Sequence, residues 1–88
     1  MRIIASPKFL KFKKKATAAL QSKIDDAVRV IVADPAVGIA KKGDLSGVRV
    51  HKFRVDARRY LVAYVVEEEQ LLLLAWGVHE NFYRNLKR

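Results

Sequence analysis

His79 and Tyr83 stand four residues apart in the stretch GVHENFYRNLKR, and five cations, Arg49, Lys52, Arg54, Arg58 and Arg59, fall within eleven consecutive positions earlier in the chain. An imidazole titrates near neutral pH and can carry a proton in either direction. A phenol donates a hydrogen bond or offers its ring for stacking. Guanidinium and ammonium groups gathered on one surface hold phosphate. His51 places a second imidazole inside the cationic stretch, where Asp56 is the one acid. These residue types suit a polyanion held on a cationic surface with a proton carrier at its edge. The same tail also suits a short helix that only docks, with His79 at its start and Tyr83 at the rim of the core. HENFY is not by itself a mechanistic motif.

The whole composition leans the same way. Eighteen Lys and Arg against nine Asp and Glu leave a net charge of +9 on 88 residues, an excess that attracts polyanions such as RNA, DNA, an anionic membrane or an acidic protein. The length allows a single domain over residues 1–88. Without cysteine there is no disulfide scaffold, thiolate nucleophile or thiolate metal site, and two histidines make no ready metal site, so neither a metal nor another cofactor is expected. The N-terminal MRIIASPKFLKFKKK contains no apolar stretch of signal-peptide length. The longest apolar run, LLLLAW (Leu71 to Trp76), is too short to span a bilayer, so a soluble cytoplasmic protein is expected.

The elements that must position these residues follow from periodicity and punctuation. MRIIA predicts a short strand. Ser6 as N-cap and Pro7 at the first helical position open a helix, with Phe9, Leu10 and Phe12 as its apolar side and Lys8, Lys11, Lys13, Lys14 and Lys15 as its wet side. A second helix starts near Thr17, where Leu20, Ile24, Ala27, Val28 and Ile31 form a helical stripe. It ends at Ala33–Asp34–Pro35, because a residue before proline resists the helical region.

AVGIAKKGDLSG predicts a connection, after which the period changes to two. In VRVHKFRV the apolar residues Val48 and Val50 fall out of step with Phe53 and Val55, which predicts a β-bulge at His51–Lys52. DAR makes a turn, RYLVAYVV is a central strand, EEE a hairpin tip, and QLLLLAW the next strand, broken by Gly77. A short terminal helix follows, docked through Phe82 and Leu86. The fold class is α+β, in the order β-α-α-β-β-β-α, with a small, mainly antiparallel sheet and a helical hairpin on one face. The opposite face is left for function, and Arg49, His51, Lys52, Arg54, Arg58 and Arg59 are its candidate RNA-binding residues.

The order of elements, together with KKGDLSGVRVHKFRV, the hairpin RYLVAYVV…LLLLAWG and the closing GVHENFYRNLKR, resembles the RelE/ParE superfamily of bacterial and archaeal toxins from type II toxin–antitoxin systems. The resemblance covers the whole chain and implies a RelE-like fold. It further implies a cytoplasmic toxin that arrests growth, and a cognate acidic antitoxin bound in a hetero-oligomer. RelE-like members are implied to cleave messenger RNA in the ribosomal A site without a metal. ParE-like members are implied to poison DNA gyrase, and a non-catalytic RNA-binding relative is a third possibility.

On the RelE-like pattern, Lys52 and Arg54 match the basic residues that hold the substrate backbone. His79 stands where a His or Arg recurs just after the last strand, and Tyr83 matches the aromatic that stacks on the base or serves in acid–base chemistry. Several RelE-like toxins carry an arginine directly after the tyrosine of the central strand, whereas Tyr60 is followed here by Leu61. Arg59, two positions away on the same face, is the residue that can replace it. The implied catalytic set is therefore His79, Tyr83, Lys52, Arg54 and Arg59.

Overall fold

A computed structural model of the chain describes residues 1–80 and Phe82. Strand β1 (Arg2–Ala5) leads through Ser6 into helix α1 (Pro7–Lys15), and helix α2 (Ala18–Ala33) follows after two residues. Both helices start as their caps dictate. The Ser6 hydroxyl accepts from the Phe9 N–H at 3.0 Å, and Thr17 Oγ1 accepts from the Leu20 N–H at 3.2 Å. Asp34, ahead of Pro35, ends α2. Helix α2 buries Ile24, Ala27 and Ile31, the inward residues of its stripe, and a Lys13–Asp25 ion pair of 2.7 Å ties the helices together. Helix α1 is narrower than its composition suggested: Phe9 is buried, but Leu10 is 54% exposed and Phe12 37%.

The remaining strands are β2 (Ile39–Ala40), β3 (Arg49–Val55), β4 (Arg58–Glu67) and β5 (Gln70–Val78). The sheet order is β1-β5-β4-β3-β2, antiparallel except that β1 runs parallel to β5. β2, together with a short 3-10 turn over Gly43–Leu45, lies where an unstructured connection was expected. Gly77 does not break the last strand, because it is paired with Leu61 inside β5. The terminal helix expected beyond it lies, apart from Phe82, outside the described residues, and so do Tyr83 and Leu86. Among the described residues no helix is long and apolar enough to cross a membrane.

The bulge is also elsewhere. β3 and β4 pair without interruption from Arg49↔Tyr64 to Val55↔Arg58, so His51 and Lys52 lie in a regular ladder. The register shifts instead between β4 and β5, where Ala63 faces Ala75 but Tyr64 faces Leu73, leaving Leu74 as the extra residue. Its carbonyl accepts the Ser6 hydroxyl at 2.6 Å, so one side chain caps α1 and satisfies the bulge. The Trp76 indole N–H donates to the Phe9 carbonyl at 3.3 Å, a second clip between α1 and β5.

The sheet is apolar on both faces, and each face has its own core. On the helix side, Phe9, Ile24, Ala27 and Ile31 pack with Tyr60, Val62, Tyr64, Leu71, Leu73 and Trp76. On the other side, Val48, Val50, Leu61, Ala63, Ala75 and Phe82 form a second cluster. Phe53 stacks on Tyr60 with ring centroids 5.6 Å apart, extending the helix-side core. Tyr64 is fully buried, and its hydroxyl is satisfied twice: it donates to the Pro35 carbonyl and accepts from the Gly38 N–H, both at 2.8 Å. Only glycine fits at position 38, since a Cβ there would lie 2.6 Å from that hydroxyl oxygen. This anchor fixes the chain between α2 and β2.

Candidate nucleic-acid interface

Residues directly opposite across a ladder share a face. Lys52 faces Leu61, and Arg54 faces Arg59. Leu61 belongs to the core of the open side, so Lys52, Arg54 and Arg59 all project from the side opposite α1 and α2. All three are exposed, and none pairs with a carboxylate among the described residues. Two arginines directly opposite each other repel, so the ladder carries a local positive potential that an anion would relieve.

His79 joins this end of the sheet through its backbone. Its N–H donates to the Arg59 carbonyl at 3.0 Å, in the turn immediately after β5. The imidazole is half-exposed, as a group that exchanges protons with a ligand must be. Phe82 covers the apolar floor beside it, close enough to Gly77 that a Cβ there would meet its ring at 3.6 Å. Three cations on one face can hold a phosphodiester and stabilise charge that develops on it, while His79 is joined to them through the Arg59 backbone and its side chain lines a cleft shared with Thr17, Leu20 and Tyr60. Tyr83 lies outside the described residues.

The other three expected RNA-binding residues stand on the helix side. Arg49 faces Tyr64, His51 faces Val62, and Arg58 faces Val55. Arg49 is engaged structurally: its Nη1 donates to the Gly38 carbonyl at 2.8 Å and to the Ala36 carbonyl at 3.3 Å, which reinforces the Tyr64 anchor. Arg58 is exposed at the hairpin end, where Asp56 takes a left-handed conformation (φ 55°) in the turn. Sequence reasoning missed an open cleft of about 710 Å³ at this end, lined by Thr17, Leu20, Arg58, Tyr60 and His79 among others. Nothing in the sequence marks the start of α2 as a neighbour of His79.

Burial pushes the His51 imidazole below its ordinary value. The native state therefore favours neutral His51, while the unfolded chain takes up a proton at higher pH. The associated stability is complete above the unfolded value and is lost as pH falls toward the lowered native one. Thermal melts should show a falling midpoint from about pH 7.5 to about pH 5.5, and His51→Gln should flatten that fall. An equal fall in the variant would remove His51 as its cause.

The architecture, a helical hairpin on one side of a mixed five-stranded sheet, is similar to that of solved structures. The isolated E. coli RelE toxin superposes with a TM-score of 0.68 at 13% identity, covering 97% of this chain and 94% of that one. RelE in the intact E. coli RelBE toxin–antitoxin complex gives the same TM-score at 14% identity, covering 86% of this chain and 93% of that one. A conserved hypothetical protein of Helicobacter pylori matches with a TM-score of 0.55 at 23% identity, over 93% of this chain and 98% of that one. At these identities the likeness concerns the fold. Among curated proteins, none matches the sequence. Residues 3–87 match the ParE-like toxins of type II bacterial toxin–antitoxin systems, and the chain belongs to that family. It is thus a toxin of the RelE/ParE superfamily, as its sequence resemblance implied.

Proposed function

We propose that this toxin is a metal-independent, ribosome-dependent endoribonuclease that cleaves messenger RNA and halts translation. The observation that carries this reading is the arrangement of Lys52, Arg54 and Arg59 on one open face, with His79 tied to the Arg59 backbone at its edge. RNA supplies its own nucleophile. The 2′-hydroxyl attacks the adjacent phosphorus, its proton passes to a base, and the P–O5′ bond breaks as the departing 5′-oxygen takes a proton. His79 serves as base or acid, Tyr83 stacks or donates, and the cations balance the charge developing on the phosphorane.

Toeprinting of a translated message tests this reading. Purified toxin is expected to give new cuts at ribosome-occupied codons and none on the naked message; an uncut message under translation would overturn it. The second reading is a gyrase-directed poison, and two observations favour it. The family match is to ParE-like toxins, and fully buried Leu61 stands where several RelE-like toxins carry an arginine. A DNA supercoiling assay separates it from the nuclease. A third reading, a non-catalytic RNA-binding relative, would leave both assays negative while RNA binding persisted.

Under the nuclease reading, Lys52→Ala and Arg54→Ala should each weaken RNA binding and lower the log–log salt slope by about 0.7–0.9 units per lost phosphate contact. Unchanged slopes in both would move the interface off the open face. The partner we propose is a cognate acidic antitoxin laid across this basic face, drawn by a net charge of +9. E. coli RelE crystallised in complex with its antitoxin supports that expectation.

A further inference from the structure

We propose that the lysine face of α1 is a second RNA-contact surface, taken by backbone phosphates of a folded RNA on the side away from Lys52, Arg54 and Arg59. The inference rests on the RNA reading above and adds a separate site to it.

Lys11, Lys14 and Lys15 stand at i, i+3 and i+4, so they share one face of the helix. All three are exposed, while Phe9 on the opposite side is buried. The acids of α2 that could neutralise this region are engaged: Asp25 pairs with Lys13 and Asp26 with Arg29. Helix α1 itself, PKFLKFKKK, contains no acid. Among the described residues, none of the three lysines has a carboxylate partner.

Cations in a last turn favour the helix dipole, which accounts for Lys14 and Lys15 in part. It does not account for Lys11, which repels Lys15 at i+4 in a helix of only nine residues. Such a like-charged face costs stability until an anion covers it.

The chemistry of the face selects the ligand. The one aromatic ring beside it, Phe12, is 37% exposed and lines a small cavity with Ala75, Trp76, Gly77 and Phe82. Ammonium groups on flexible stems act as point charges toward phosphate, and phosphate is what folded RNA presents along its grooves. Helix α1 packs on β5 from the helix side. The two cationic surfaces therefore occupy opposite sides of a body measuring 32 × 27 × 23 Å. Helix α1 is clipped to β5, while Lys52 and Arg54 stand on β3 with β4 between those strands, and we assign the second contact to another, folded segment.

Binding of the full chain to an RNA hairpin and to a single-stranded oligouridine, each titrated with salt, tests the inference without relying on cleavage. The combined variant K11Q/K14Q/K15Q should weaken hairpin binding about tenfold or more and flatten its log–log salt slope by about 2–3 units. Its oligouridine binding should be unchanged, and K52Q/R54Q should do the reverse. An unchanged hairpin slope in the triple variant, with helix content intact by circular dichroism, overturns the inference. Equal losses on both RNAs also overturn it, since the two surfaces would then be one.

Leu10, 54% exposed beside these lysines, is what a membrane would engage. If vesicles of anionic phosphatidylglycerol retain the wild type but not the triple variant, while hairpin binding is intact, the face belongs to lipid and the inference fails. If K52Q/R54Q binds both RNAs as wild type does, the open-face reading fails by itself. The triple variant alone decides the role of α1.

Discussion

Phe82→Ala is expected to destabilise the protein by about 3–5 kcal/mol, the usual cost of truncating a buried aromatic ring. Phe82 is 3% exposed and completes the cluster of Val48, Val50, Leu61, Ala63 and Ala75. Neither α1 nor α2 covers that side of the sheet. Removing the ring would uncover several apolar side chains at once, so the loss includes exposed floor as well as vanished contacts. For a chain of this size the melting temperature should fall by more than about ten degrees, and activity should disappear through unfolding. Phe82→Leu, which keeps most of the volume, should recover most of the stability. A melting temperature for Phe82→Ala within a degree or two of wild type would mean that the open side is held together by something else.

His79→Gln should behave in the opposite way. The turn that holds this residue is fixed by its backbone N–H on the Arg59 carbonyl, a bond that glutamine keeps. Stability should be nearly unchanged, while, on the nuclease reading proposed above, single-turnover cleavage on a programmed ribosome should slow by about a hundredfold, the scale of losing one general acid or base. Tyr83→Phe then tests the phenol and Tyr83→Ala the ring, and a large effect only in the latter assigns that residue to stacking. A folded His79→Gln toxin that cuts at the wild-type rate would make the tail purely structural.

How legible these features were in the sequence depended on how local their causes are. Ser6, Pro7, Thr17 and the Asp34–Pro35 stop act within a turn of themselves, so both helices could be placed from the chain alone. The supposed bulge at His51–Lys52 came from assuming that one face of β3 must be polar. Val50 serves the open-side core and Phe53 the helix-side core, so both parities are apolar in a perfectly regular strand. The actual bulge at Leu74 sits within a run of leucines, where an extra residue leaves no break in pattern.

The candidate site divides along the same line. Alternation separated Lys52 and Arg54 from Phe53 and Val55, which is why those two cations were placed together. Arg49 looked like their companion because its partners, the Gly38 and Ala36 carbonyls, are backbone atoms in a loop and have no signature in side-chain identity. His51 and Arg58 fell on the helix side for the same reason that the bulge failed: their parity could be assigned only once the register was known.

The parallel pairing of β1 with β5 has a temporal consequence. The first strand of the chain can be seated only by the last strand of the sheet, with Ile3 meeting Leu71 and Ala5 meeting Leu73. During synthesis, α1 can meet α2 early, but β1 must wait unpartnered while all the intervening elements emerge, and the clips of α1 onto β5 form only then. Contacts of such long sequence separation slow folding and come late. A nascent chain interrupted before Gln70 would have its lysines and apolar side chains but no platform to mount them on. The five-stranded platform beneath the cations is therefore completed only when β5 arrives, late in synthesis.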